Sequence, residues 1–234
     1  MENFTYLNPV AKLLTFEDDT SENENWPNYL AIGLTRENVP ELIQLMQDTE
    51  LAHQHPWNGK VSELAPINGR ERAWRALAQL QAFDAIPDIL ALLRPLESLK
   101  ADVYMAQEIP QVLGVFGEPA LLPSCEYLND RSLLHPARIC AARALVEIGQ
   151  RHPGTRRVCV KQLIDSLENY QVNDKVVNTF VIYCLSELKA QDAALLVEKI
   201  IREGYTSLDI HDRSQGYTGG KGLLQRIASI RIKK

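Results

Sequence analysis

Between residues 70 and 205 apolar side chains recur with a helical period, and the helices they imply come in pairs. Ala73, Leu77 and Leu80 form one stripe, followed by Ile86, Ile89, Leu90 and Leu93. Val112, Val115 and Phe116 are followed by Leu121, Leu122, Cys125 and Leu128. Ala141, Leu145 and Ile148 precede Val160, Leu163, Ile164 and Leu167. The last pair is Val177, Phe180, Val181, Cys184 and Leu188, then Ala193, Leu196, Val197, Ile200 and Ile201. Spacings of three and four residues put such side chains on one helix face, whereas a half-buried strand alternates with a period of two, and no segment does that convincingly. Superposing Leu80, Phe116, Ile148 and Leu188 gives intervals of 36, 32 and 40 residues. A single helix pair cannot bury its apolar face, but stacked pairs share a continuous core. The expected fold is therefore all-α, an α-solenoid of about five helix pairs.

The turns between paired helices carry a second pattern. Asp84-Ala85 lies four residues after Leu80, and Asp192-Ala193 lies four residues after Leu188. An aspartate there is placed to cap the second helix by accepting from its orphan N–H groups, worth about 1 kcal/mol. Ile86-Pro87 and Leu122-Pro123 occupy matching offsets, and Pro87 falls in a first helical turn, where its missing N–H costs little. Pro110 is expected inside a helix, kinking it. Upstream, Thr35 is expected to cap a helix bearing Val39, Leu42, Ile43 and Met46 on one face. Trp26, Tyr29, Leu30 and Ile32 are expected to dock the preceding segment on the first helices. The chain thus reads as an acidic arm (1–28), helical repeats (29–205), and a glycine-containing loop with a basic segment (206–234).

Paired helices with a mid-helix proline and an aspartate at the turn resemble HEAT repeats. More closely, the chain resembles a group of bacterial HEAT-like, PBS-lyase-type repeat proteins of unassigned function. The matching stretches are Trp26-Pro-Asn-Tyr-Leu-Ala-Ile-Gly with Val39-Pro-Glu-Leu-Ile, Ala73-Trp-Arg-Ala-Leu-Ala-Gln-Leu, and Glu108-Ile-Pro-Gln-Val-Leu-Gly. Ala144-Leu-Val-Glu-Ile-Gly-Gln-Arg-His-Pro and Asn178-Thr-Phe-Val with Leu188-Lys-Ala complete them. The resemblance spans roughly residues 26–205 and implies a fold rather than a chemistry. Some relatives end in a Cys-rich metal-binding tail; this chain ends in Ser229-Ile-Arg-Ile-Lys-Lys.

Charge narrows the function. Residues 1–63 hold eleven acidic side chains against three basic ones, a net of −8, while the whole chain carries −5. Such a surface repels a polyanion, so no nucleic-acid partner is expected. No apolar run reaches 18 residues, so no membrane insertion is expected either. The start of the chain lacks the basic and apolar regions of a signal peptide. Cys125, Cys140, Cys159 and Cys184 are widely spaced, as reduced, buried thiols of a cytoplasmic protein would be.

Several clusters hold residue types suited to chemistry. His53-Gln-His55 lacks further ligands at a recognisable spacing, so it reads as a surface loop rather than a metal site. Cys140 with His135, and Cys159 with His152, stand at helix boundaries where cysteine replaces a core residue. Gly216-Tyr-Thr-Gly-Gly-Lys-Gly has neither the spacing nor the hydroxyl residue of a phosphate-binding loop. Asp209-Ile-His-Asp-Arg213 reads as solvated tail before it reads as a binding loop. Arg70, Arg72 and Arg75, and likewise Arg138, Arg143, Arg156 and Arg157, read as solvated helix faces laced with Glu71 and Glu147, the alternative being a basic face for an acidic partner. No cofactor, metal or catalytic residue is assigned. The second helices of a repeat array line its concave side, and opposite their apolar stripes lie Asp88, Glu126, Lys161, Asp165, Glu168, Glu198 and Arg202. These form the expected contact surface of a non-catalytic scaffold or adaptor that binds another protein. HEAT-like repeats also occur in bilin lyases, and the alternative is such a chromophore-handling enzyme using His211, Asp212 and arginines of the concave face. A HEAT-type DNA repair enzyme conflicts with the acidic balance.

Overall fold

A computed structural model describes residues 6–16, 26–49, 51, 68–97 and 103–207, excepting the side chains of 103 and 104. Among them every regular element is helical, and no strand occurs. The chain divides into two compact units, residues 1–92 and 93–234.

In the first unit, 3-10 turns at Val10–Leu14, Tyr29–Ile32 and Arg36–Asn38 precede α1 (Val39–Gln47), α2 (Gly69–Gln79), a 3-10 turn at Phe83–Ala85, and α3 (Ile86–Ala91). Thr35 caps as expected: its hydroxyl accepts from the Glu37 N–H at 3.3 Å, and Asn38 Oδ1 accepts from the Thr35 N–H at 2.9 Å. The element so capped begins as a 3-10 turn and continues into α1. On α1, Val39, Leu42 and Met46 are buried as expected; Leu45 joins them, and Ile43 is only half-buried. Here α1 packs along α2, whose other faces meet the first two 3-10 turns. The segment at 26–29 docks through side-chain amide bonds. Gln79 accepts from the Tyr29 N–H at 3.0 Å and donates to the Pro27 carbonyl at 2.7 Å. At Gly69 an added Cβ would lie 2.7 Å from Leu14 Cδ2, so a bare backbone is needed where α2 meets the first turn.

The second unit contains α4 (Val103–Phe116), α5 (Glu118–Asn129), α6 (His135–Arg151), α7 (Arg156–Glu168), α8 (Lys175–Glu187), a 3-10 turn at Gln191–Ala193, and α9 (Ala194–Arg202). Its centre is α6, which packs against α4, α5, α7 and α8; α5 also touches α7, and α7 touches α8. This position explains why α6 is buried nearly all round, from Pro136 through Gly149 with Arg143 and Glu147 half-exposed. A Cβ on Gly114 would stand 2.6 Å from the Glu147 Cβ, so α4 and α6 approach to backbone contact there.

Proline placement departs in part from expectation. Pro87 does sit in the first turn of α3, but Pro123 lies inside α5, and Leu122 beside it is 65% exposed rather than core. Pro110 is inside α4, as the sequence indicates. A proline cannot bond the carbonyl four residues back. That carbonyl, Ala106 O, instead accepts from Arg143 Nη1 at 2.9 Å and from Cys140 Sγ at 3.8 Å, both on α6. The helix therefore passes through the proline with its orphaned acceptor satisfied from the neighbouring helix.

The aspartates do not cap. Asp84 and Asp192 are exposed and lie within the 3-10 turns, whose N-cap residues are Ala82 and Ala190; α3 and α9 are in turn preceded by Ala85 and Ala193. Among the described residues neither carboxylate accepts a hydrogen bond. The extra helical turn carries the chain past the aspartate before α3 or α9 begins, so its side chain is out of register with their free N–H groups.

Candidate functional site

The arginine clusters are not solvated faces. On α2, Arg72 and Arg75 are 2% and 3% exposed. Arg72 donates to the Leu13 carbonyl at 2.8 Å. Arg75 donates to the Tyr29 hydroxyl at 3.3 Å, lies 3.6 Å from the Glu71 carboxylate, and stacks 5.9 Å from the Trp26 ring centroid. Arg70 Nε reaches the Met46 carbonyl at 3.0 Å. In the second unit Arg138 is buried, its Nε 2.8 Å from the Leu128 carbonyl, and Arg156 donates to the Leu188 carbonyl. Met46 and Leu128 are the penultimate residues of their helices, and Leu188 is the C-cap of α8. Each such carbonyl has lost its helical partner and stands at the negative end of a helix dipole, so a cation stabilises it. Arg157 alone of the two clusters is exposed without a partner among the described residues.

The thiol pairs are likewise structural. All four cysteines are buried and unpaired by disulfide. Burial raises the Cys125 thiol to about 12 and pushes those of Cys159 and Cys184 up as well, so these thiols stay protonated and weakly nucleophilic near neutrality. His152 Nε2 lies 2.9 Å from the Gly114 carbonyl, and its ring fills the space at Gly117, whose φ is +72°. His135 is exposed at the start of α6, away from any role as base to the buried Cys140. His53, His55, the 209–213 segment with His211, Asp212 and Arg213, and the Gly216–Gly222 stretch lie outside the described residues.

The polar residues expected at the contact surface are distributed over both units. Asp88, on α3 of the first unit, accepts from Gln47 Nε2 at 3.2 Å. In the second unit Glu126 projects from α5, while Lys161, Asp165 and Glu168 lie on α7; Lys161 and Asp165 form an ion pair one turn apart. Glu126 and Asp165 both act electrostatically on Cys125, and α5 touches α7. Glu198 and Arg202 are on α9. Four of the seven therefore share neighbouring helices.

Sequence reading missed a cleft in the second unit. The loops before α6 and before α8 enclose about 390 Å³, with Arg131, His135 and Arg138 on one side and Val172, Asn173 and Asp174 on the other. Asp130 shapes the first loop by accepting from the Ser132 N–H at 2.9 Å and the Ser132 hydroxyl at 2.6 Å, which holds its carboxyl below the ordinary range. Asn173 shapes the second, donating to the Ser166 carbonyl at 2.9 Å and accepting from Arg138 Nη2 at 3.1 Å. Asp174 caps α8 through the Val176 N–H at 2.6 Å. Leu134 and Val172 stand at the cleft 52% and 62% exposed. The signal for it lay in Asp130-Arg-Ser and Val172-Asn-Asp, two turn sequences at the same side of successive helix pairs.

Comparison with protein-family models, with curated proteins and with solved structures finds no match to this chain.

Proposed function

We propose that the chain is a HEAT-like α-solenoid protein of the cytoplasm that acts without catalysis, holding another protein against its curved surface on the exposed faces of the second helices. The observation that carries this reading is the packing order of the second unit. There α4, α6 and α8 pack in series while α5 touches α7, as expected of stacked helix pairs. The buried polar groups are consistent with it, since guanidiniums are spent on helix ends and thiols are held protonated. No described helix is long and apolar enough to cross a membrane. The contact surface of this reading centres on Glu126, Lys161, Asp165 and Glu168. Affinity capture from lysate of the source cells, with quantitative mass spectrometry, tests it against the double reversal Asp165→Lys with Glu168→Lys. A captured protein lost on reversal, with the melting curve unchanged, supports the surface. Capture no better than a tag-only control, or indifferent to the reversal, refutes it.

A further inference from the structure

We propose that the cleft between the loops preceding α6 and α8 is a docking site for an acidic peptide segment of a partner protein. Its carboxylates would meet Arg131 and Arg138, and its apolar side chains Leu134 and Val172. This rests on the protein-binding reading above and adds a second, separate site to it.

The argument begins with Arg138. It is 4% exposed and fixed by the Leu128 carbonyl and Asn173, yet those bonds use only Nε and Nη2. A guanidinium has five N–H donors, and Nη1 has no hydrogen-bond partner among the described residues although Arg138 lines the cleft. Arg131, exposed at the same cleft, likewise makes no hydrogen bond or ion pair among them. The two cations repel: burial and then Arg131 push the Arg138 guanidinium below its ordinary value. Asp130 and Asp174, the latter also lining the cleft, offset this only in part: Asp130 is engaged by Ser132 and Asp174 by the Val176 N–H, and neither forms an ion pair with the arginines. The N-terminus of α6 adds positive potential, for its cap residue is Leu134, which supplies no acceptor. An anion seated here would gain rigid, partly desolvated donors.

The walls choose the kind of anion. A free phosphate or small carboxylate makes no use of the exposed Leu134 and Val172, while a peptide with acidic and apolar residues in alternation satisfies both. About 390 Å³ admits a few side chains, not a folded domain.

The test is fluorescence anisotropy with the full-length protein and a labelled nine-residue peptide of alternating glutamate and leucine. Controls are the glutamine-for-glutamate peptide and inorganic phosphate as competitor. Saturable binding is expected, weaker by at least about tenfold in Arg131→Glu and in Val172→Asp, and weaker with added salt. Both positions are exposed, so the fold should survive, as circular dichroism melts would verify. The Asp165→Lys, Glu168→Lys protein should bind the peptide as the unaltered chain does. Absence of saturable binding, equal binding of the glutamine peptide, indifference to both cleft variants, or displacement by phosphate at the peptide's own concentration would each overturn the proposal. Peptide failure with lysate capture intact faults the cleft alone, and capture failure with peptide binding intact faults the α5–α7 surface alone.

Discussion

In the first unit α2 closes at its C-cap Leu80; Gln81 turns to φ 52°, and Ala82 leads into the 3-10 turn Phe83–Ala85 and then α3. In the second, α8 closes at Leu188; Lys189 also turns to φ 52°, and Ala190 leads into Gln191–Ala193 and then α9. The hydrogen bonds match as well. Ala82 N–H reaches Leu77 O at 3.1 Å and Gln81 N–H reaches Ala78 O at 3.0 Å, where Ala190 and Lys189 reach Leu185 O at 2.9 Å and Ser186 O at 3.0 Å. Both are Schellman closures with a non-glycine residue in the left-handed position. The side chains that support them differ. Gln81 Nε2 returns to Ala78 O at 2.9 Å, and Arg36 reaches the Gln81 carbonyl at 2.6 Å. Lys189 is exposed and makes no such bond, and Arg156 instead takes the Leu188 carbonyl. What repeats is a backbone path, and each copy is braced by whatever its own surroundings supply.

Removing the shared element should break both copies. In Ala190→Pro the N–H that reaches Leu185 O is lost and the left-handed residue before it is disfavoured, so destabilisation of about 3 kcal/mol is expected. Ala82→Pro should match it. Urea unfolding gives the magnitude, and amide hydrogen exchange should localise each loss to its own unit. A cost under about 1 kcal/mol in either protein would show that this closure is not what holds the turn.

The braces come next in size and should separate the two copies. Arg156→Ala removes a charged donor from a partly buried carbonyl, an expected loss of about 1.5 kcal/mol or more. Arg36→Ala removes an exposed contact, where solvent replaces much of the bond, and should cost about 0.5 kcal/mol. Equal effects by urea titration would contradict the distinction drawn between the copies.

Much of this fold is legible in the residues, and the reasons are specific. Stripes such as Val177, Phe180, Val181, Cys184 and Leu188 specify buried helix faces because period alone decides which side chains point inward. The superposition on Leu80 and Leu188 succeeds because both are C-caps of the same closure. It degrades between them, since Phe116 is the last residue of α4 and Ile148 lies three residues before the end of α6. The arginines misled because local charge cannot reveal a distant acceptor: Arg72 finds Leu13 O, 59 residues away, and Arg143 finds the carbonyl that Pro110 left free. The cleft was hidden for the same reason, its two loops being brought together only when α6 packs on α8.

The left-handed residues allow a gain rather than a loss. Lys189→Gly relieves the strain of a Cβ at φ 52° with no side-chain bond forfeited, and should stabilise the second unit by about 1 kcal/mol. Gln81→Gly relieves the same strain but gives up the bond to Ala78 O, so its gain should be smaller. A larger gain at Gln81 in thermal melts would mean that the returning amide contributes nothing.

The smallest effect is expected where the sequence pattern is clearest. Asp84 and Asp192 recur at one offset, which invites the reading of a repeated helix cap worth about 1 kcal/mol. In the structure each is the middle residue of its 3-10 turn, exposed, with alanine at the cap positions before and after. What remains for the carboxylate is proximity to the positive end of α3 or α9, a contribution of about 0.3 kcal/mol that salt screens. Asp84→Ala and Asp192→Ala should therefore each change stability by less than about 0.5 kcal/mol, with the remainder vanishing in high salt. A loss of 1 kcal/mol or more that persists in about 1 M salt would mean the carboxylate bonds backbone N–H groups after all. The repeat would then be held at its aspartate rather than at the left-handed residue three positions earlier.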